Sequence, residues 1–225
     1  MQHQKPLFVF DWDEVISHTD RLRDLTQELF SLIDLPSEGV AEVANRVVET
    51  GGYNFNRHAH ELAKLYPEKE ISLFKLQQSY DLARDHLGSV IYPDAERFLR
   101  RLYGRYPMAV LTVGDPEFQQ QKVYRSGLTS LFSQMIFLPT YTRGEGDAPK
   151  SKSRALGQLL ELYPSILYFE DRADTIGRIY DEHKHHNRII PLRVSRANKP
   201  GRYSHVITSF DHPLPPIVER LLTDP

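Results

Sequence analysis

"KPLFVFDWDEVISHTD" (residues 5–20) carries an apolar run, Leu7 to Phe10, that ends on two aspartates, Asp11 and Asp13, with only Trp12 between them. Side chains alternate faces along a strand, so residues two apart share a face. Two carboxylates set side by side repel each other unless something positive stands near them. Such a pair is costly for a fold and useful for a site.

Similar short runs recur downstream: "PLFVF" itself (6–10), then "PMAVLTV" (107–113), "SQMIFLP" (133–139), "SILYFE" (165–170), "RIIPLRV" (188–194) and "SHVITS" (204–209). Continuous stretches rich in Val, Ile, Phe and Leu suit strands buried on both faces. Helical patterns separate the later ones. "DAERFLRRLYGRY" starts at Asp94, a candidate N-cap, and sets Phe98, Leu99, Leu102 and Tyr103 on one stripe. "PEFQQQKVYRSGL" and "SRALGQLLELYP" follow, stopping near Gly127 and before Pro164. Strands alternating with helices predict an α/β fold, a three-layer Rossmann-like doubly wound parallel sheet.

The first strand breaks that rhythm. Between Ile16 and Ile91 the patterns are helical only: "DRLRDLTQELFSLI", "SEGVAEVANRVVETGG", "NRHAHELAKLYP" and "ISLFKLQQSYDLARDHLG". The predicted organisation is a core of residues 1–16 and 92–225 with an inserted all-helical domain over 17–91.

Composition narrows the partners. A formal charge of −2, with 40% hydrophobic and 26% charged residues, gives no support for nucleic-acid or membrane-surface binding. No cysteine is present, which excludes disulfides, thiolate metal sites and a cysteine nucleophile. The start "MQHQKPLFVF" lacks the features of a signal peptide, and no apolar stretch approaches the roughly 20 residues of a spanning helix, so a cytoplasmic setting is expected.

In an open parallel sheet, ligands gather at the carboxyl ends of the strands. Those ends offer Asp11 and Asp13, then Thr112 in "AVLTVGD", Lys150 and Lys152 in "PKSKS", and Glu170 and Asp171, with Asp174 just beyond, in "YFEDRADT". Carboxylates without thiolate or imidazole suit Mg²⁺, a hard ion that prefers oxygen and keeps several waters. Such a cation admits an anionic phosphate that bare carboxylates repel. One aspartate can attack phosphorus while another moves the leaving-group proton. A hydroxyl and a lysine can stabilise the transferring oxygens.

The order of these pieces resembles the four motifs of the haloacid dehalogenase (HAD) superfamily. "VFDWDEVISHTD" is similar to the first motif, "AVLTVGD" to the second, a lysine opening a helix to the third, and an apolar strand closing on "ED" to the fourth. The flanking "VIYPDAERFLRRLYGRYPMAVLT" and "QKVYRSGLTSLFSQMIF" also read like family segments, and the helical insert sits where the family places a mobile cap. The resemblance implies Asp11 as nucleophile and Asp13 as general acid/base. It implies Thr112, with Val113 beside it, as the phosphoryl-binding pair, and Lys152 or Lys150 as the stabilising cation. Mg²⁺ would be held by Asp11, Asp171 and the backbone carbonyl of Asp13, with Glu170 or Asp174 assisting. Glu14 stands where a glycine is common, and Thr175 where Asp or Asn often follows the metal ligand.

The expected activity is Mg²⁺-dependent hydrolysis of a small phosphorylated metabolite. The alternatives are a phosphomutase of the same superfamily or an inactive HAD-like binding protein. A phospho-receiver domain is disfavoured, because its accepting aspartate lies on a later strand and its acidic pair on the first. In the insert, Arg57 is the candidate substrate contact, since guanidinium suits phosphate, whereas His58 and His60 are expected on the surface. "DEHKHHNR" (181–188) is expected to be a solvated helix end.

Overall fold

The structure is a computed structural model that describes residues 4–19, 34–50, 52–69, 90–139, 148–196 and 206–223, with isolated positions 21, 22, 24, 28, 30 and 72. Six strands form one sheet: β1 (Leu7–Phe10), β2 (Met108–Gly114), β3 (Gln134–Pro139), β4 (Ile166–Glu170), β5 (Ile189–Val194) and β6 (Val206–Ile207). Their order is β3-β2-β1-β4-β5-β6, and all neighbours pair parallel. Each expected apolar run supplies a strand. The last supplies only two residues, at the sheet edge where a single neighbour pairs with it.

β1 shows why the runs are continuous rather than alternating. Phe8 and Phe10 enter one core with Phe98, Phe169 and Phe210, whereas Leu7 and Val9 enter the opposite core with Leu111, Leu156, Tyr168 and Ile179. On the first face the rings interlock, with Phe10 and Phe169 stacked at 4.6 Å and Phe98 and Phe210 at 4.7 Å. Helix α3 (Pro93–Leu102) packs on this face; α5 (Ala148–Leu159) and α6 (Ala173–His183) cover the other. Helix α4 (Pro116–Arg125) follows β2, and α7 (Pro216–Thr223) closes the chain.

α3 starts one residue before the expected cap. Pro93 occupies its first turn, where a missing N–H is no loss. Asp94 instead turns inward and accepts from Ser209 Oγ and the Phe210 N–H, both at 2.7 Å, and is paired with Arg196. These contacts and the Arg196 charge outweigh desolvation and hold its carboxyl below the usual range.

The described residues of the insert are helical: α1 (Ser37–Glu49), α2 (Phe55–Leu65) and a short 3₁₀ turn at Pro67–Lys69. The expected helix over 71–88 and most of that over 20–33 lie outside the described residues. Leu22, Phe30, Val40, Val43, Val47, Phe55 and Leu62 form a core separate from the sheet's, entered from α4 by Phe118 alone. Tyr53 meets Phe118 edge-on at 5.0 Å, and Asn54 Nδ2 donates to Asp115 Oδ2 at 3.2 Å. Asn54 and Asp115 are also the N-caps of α2 and α4. The insert therefore rests on the first turn of the helix that follows β2.

His58 is buried in that small core, against expectation. Its Nε2–H donates to the Val40 carbonyl at 2.9 Å, Nδ1 receives the Tyr53 hydroxyl at 3.0 Å, and the ring meets Phe30 at 4.6 Å. Both nitrogens are satisfied with the ring neutral. Burial pushes its pKa down to about 4, the Val40 carbonyl opposing only in part. The unfolded chain thus binds the proton first, and stability falls as pH drops from about 6.5 towards 4. The expected loss from this residue is at most about 3 kcal/mol. His58→Phe should flatten the dependence of the urea midpoint on pH between 7 and 5, and equal slopes for parent and variant would refute the assignment.

Candidate active site

Sheet register brings the acidic groups together. Phe10 pairs with Phe169, and the Asp11 N–H donates to the Phe169 carbonyl at 2.8 Å, so Asp11 and Glu170 leave neighbouring strands at one level. The strand order reverses here, β1 leading to β2 on one side while β4 lies on the other, which opens a crevice at the carboxyl ends. Ligand oxygens of Asp11, Glu170 and Asp171 lie within 4.8 Å of one another.

Lys152 enters from α5. It shares that helix's buried face with Ala155 and Leu156, three and four residues on. Its ammonium is 2.9 Å from Asp11 Oδ2 and 2.7 Å from Glu170 Oε2. Lys150 is exposed. The two candidates are thus separated: Lys152 is in the site, and Lys150 is outside it. Glu170 is fully buried and also accepts from the Tyr168 hydroxyl and, at 3.0 Å, from the Arg172 N–H. Asp174 is turned away, paired with Arg172 at 2.7 Å. Thr175 is buried, and its N–H goes to Asp174 Oδ1.

The titration behaviour follows from crowding. Burial, then Glu170 and Asp13, lift Asp11 to about 7 against the pull of Lys152. Burial, then Asp11 and Glu170, lift Asp171 to about 9. Burial would depress Lys152 and raise Glu170, but the charges and hydrogen bonds facing them win, driving Lys152 up and Glu170 down. Among the described residues three carboxyl groups face one ammonium, a surplus of acidic groups that burial and mutual repulsion push toward the protonated form in the absence of a cation. An all-oxygen donor set with that surplus fits a hard divalent cation.

Asp13 has its own cation, which the sequence patterns did not expose. Lys122 Nζ lies 2.6 and 2.7 Å from its two oxygens, Gln119 Nε2 donates at 3.1 Å, and the Thr19 hydroxyl at 3.3 Å. Desolvation would raise Asp13, but Lys122, Gln119 and Thr19 together hold it below the usual carboxylate value. Gln119 and Lys122 sit on α4 beside Phe118 and Val123, on its buried face. That was the available signal: two polar residues on the stripe reserved for apolar ones. Gln119 also receives the Thr112 hydroxyl at 3.3 Å and donates to the Val113 carbonyl at 3.4 Å. A Cβ at Gly114 would fall 2.4 Å from Gln119 Nε2, so a larger residue there would make this amide shift.

The expectation for Arg57 is corrected. Its guanidinium donates to the carbonyls of Val47 and Gly52, each at 2.7 Å, and of Thr50 at 3.2 Å. It closes the carboxyl end of α1 rather than reaching a ligand. His183 is the last residue of α6 and is half-buried, its Nε2 2.9 Å from Ser153 Oγ of α5; it hydrogen-bonds His186 at 3.2 Å, and His186 accepts the Arg188 N–H.

Comparison with known proteins agrees with this arrangement. The family model of the haloacid dehalogenase-like hydrolases matches residues 5–177. No curated protein matches the chain. Among solved structures, a haloacid dehalogenase-like family hydrolase from Xanthomonas campestris is 17% identical, with a TM-score of 0.61 over 98% of this chain and 94% of that one. The L-2-haloacid dehalogenase of Xanthobacter autotrophicus is 16% identical, with a TM-score of 0.58 over 92% and 96%. A provisionally assigned HAD-hydrolase of Bacillus subtilis, bound to magnesium, is 14% identical, with a TM-score of 0.60 over 99% and 100%. At these identities the structures speak to the fold alone. The family match covers residues 5–177, most of the chain, and on that ground the chain belongs to the haloacid dehalogenase-like hydrolases.

Proposed function

We propose that the protein hydrolyses a phosphate monoester of a small metabolite, through an aspartyl-phosphate on Asp11 and with Mg²⁺. One observation carries the reading: a buried oxygen-only cluster of Asp11, Glu170 and Asp171, balanced by Lys152, beside a second aspartate held on a separate ammonium. Asp11, Glu170 and Asp171 would hold the cation. When bound, it supplies the positive charge that lets a phosphate approach.

The chain's own groups do the rest. Asp13 is ionised at rest on Lys122 and is protonated from solvent when the anionic phosphate beside it raises its proton affinity. An Asp11 oxygen attacks phosphorus, and the P–O bond to the leaving group breaks as Asp13 delivers that proton to the departing oxygen. Asp13, then ionised on Lys122 and Gln119, takes a proton from water as that water attacks phosphorus and frees Asp11. Lys152 keeps the Asp11 oxygens oriented and supplies charge to the transferring group, and Thr112 with Val113 faces its equatorial oxygens. The insert over 17–91 acts as the cap that limits water and selects the leaving group.

Haloacid dehalogenases share the fold, but a second motif-one carboxylate on its own lysine suits proton transfer to an ester oxygen better than halide departure, which needs no proton. The test is release of inorganic phosphate from an aryl phosphate and a panel of small phosphate esters, with Mg²⁺ and with EDTA. Turnover that needs Mg²⁺ is expected. Failure of the whole panel, together with no uptake of Mg²⁺ and no binding of beryllium fluoride, would overturn it.

A further inference from the structure

Glu14 follows Asp13 directly and takes a left-handed backbone, φ 58°, where glycine is the natural occupant. A side chain persists there only when its surroundings hold it. Both of its carboxylate oxygens are in use. Oε1 accepts the Thr19 N–H at 2.8 Å and Oε2 the Tyr92 hydroxyl at 2.9 Å. Thr19 lies where the chain leaves the sheet domain for the insert, and Tyr92 where it returns. One carboxylate thus ties the two crossings to each other.

The crossings also form a small ladder of their own. His18 N–H donates to the Val90 carbonyl at 2.8 Å and Tyr92 N–H to the Ile16 carbonyl at 2.9 Å, with bridges from Asp13 to Ser17 and from Ser17 to Ile91. Tyr92 is anchored to the sheet domain, because its ring lies 4.1 Å from the Arg196 guanidinium, which is itself fixed by Asp94 and the Val15 carbonyl. The His18 ring also stacks on it, at 5.1 Å. Thr19 joins the two carboxylates: its N–H is on Glu14 while its hydroxyl is on Asp13.

We propose that Glu14 is a positioning residue that clamps the two crossings to the Asp13 turn, so that the resting position of the insert and the seating of Asp13 are set together. For its kinetic consequence the proposal rests on the hydrolytic reading; its structural part does not. A glycine would relax the backbone and release both crossings. Glutamine keeps the length and can keep both contacts, Oε1 accepting the Thr19 N–H and Nε2–H donating to the Tyr92 hydroxyl oxygen, so it removes only the charge.

The absence of cysteine permits a direct test. Lys64→Cys in α2 and Arg101→Cys in α3, both at exposed positions, carry spin labels, and double electron–electron resonance reads the distance between insert and sheet domain. The parent should give one narrow distribution. Glu14→Gly should broaden it about twofold and speed hydrogen exchange of the Thr19 amide about tenfold, with Glu14→Gln near the parent and Tyr92→Phe intermediate. The Glu14→Gly chain should keep its melting temperature, since strain is removed, yet lose about tenfold in kcat on the aryl phosphate. Unchanged width and exchange in Glu14→Gly would overturn the clamp. Broadening with a lowered melting temperature and unchanged kcat would reduce it to a local structural contact, which also overturns it. Absence of turnover in the parent would count against the hydrolytic reading alone, since the distance and exchange measurements need no substrate.

Discussion

Asp11→Asn should lower phosphate release by at least about a thousandfold while leaving the metal-free fold no less stable than the parent. The first half follows from the proposed nucleophile, because an amide neither attacks phosphorus usefully nor leaves a hydrolysable acyl phosphate. The second half follows from the crowding of charge. Asp11 shares a site with Glu170 and Asp171, and among the described residues Lys152 is the cation opposite it. Burial, then Glu170 and Asp13, raise its carboxyl to about 7. A carboxyl raised on folding stabilises below its unfolded value, and that contribution is lost as pH climbs from about 4 through 7. Asparagine has no charge to lose. In metal-free buffer the melting temperature of the variant should therefore gain on the parent as pH rises through that window. Mg²⁺ should reverse the order, because a ligand that binds only the folded parent stabilises it by about 2.7 kcal/mol at a hundred times its Kd. Thermal melts at pH 5 and 8, with Mg²⁺ and with EDTA, check all three statements. A variant that turns over within tenfold of the parent would remove Asp11 as nucleophile.

Much of the architecture could be read from strand chemistry, because a strand covered on both faces has no polar positions to blur it. Leu7–Phe10 and Ile166–Glu170 are buried throughout; Asp11 follows the first and Glu170 ends the second, both at the sheet's crevice. The site residues that emerged from sequence are those fixed by local register: Asp11, Glu170 and Asp171 at strand ends, and Lys152 by its spacing from Ala155 and Leu156. What stayed hidden depends on partners far along the chain. Lys122 reads as an ordinary charged residue of a helix until the fold sets it against Asp13, 109 positions away. Arg57 has the right chemistry for phosphate, but a guanidinium matches helix-end carbonyls equally well, and those of α1 are nearer. His58 and His60 are two apart and so cannot share a helical face. That spacing placed one of them outside and left the other free to be buried, which the sequence reading did not exploit. Glu14 was visible as a departure from glycine; its two acceptor contacts needed both crossings to be in place.

Lys152→Met and Lys150→Met, a pair the sequence could barely separate, should differ more than any other neighbouring substitutions in the chain. Lys152 is 3% exposed and is the cation shared by Asp11 and Glu170. Methionine fills the volume of its stem but leaves three carboxylates in one buried site without a counter-charge. Breaking a buried pair by removing one partner costs about 3–5 kcal/mol, most of it the penalty of the charge left behind. Lys150 stands in solvent at the start of α5, and its loss should move stability by no more than about 0.5 kcal/mol. The cation requirement makes the comparison sharper. If Asp11, Glu170 and Asp171 hold a divalent ion, saturating Mg²⁺ should restore a large part of the stability that Lys152→Met loses, because the ion offsets the same uncompensated charge. Catalysis should not return with it, since the ammonium beside the transferring oxygens is still missing. Urea midpoints with and without Mg²⁺, set beside phosphate release, separate the two roles. Equal midpoints for both variants in EDTA would mean that Lys152 does not balance the acidic cluster. Recovery of stability and turnover together on adding Mg²⁺ would mean that its role is charge balance alone.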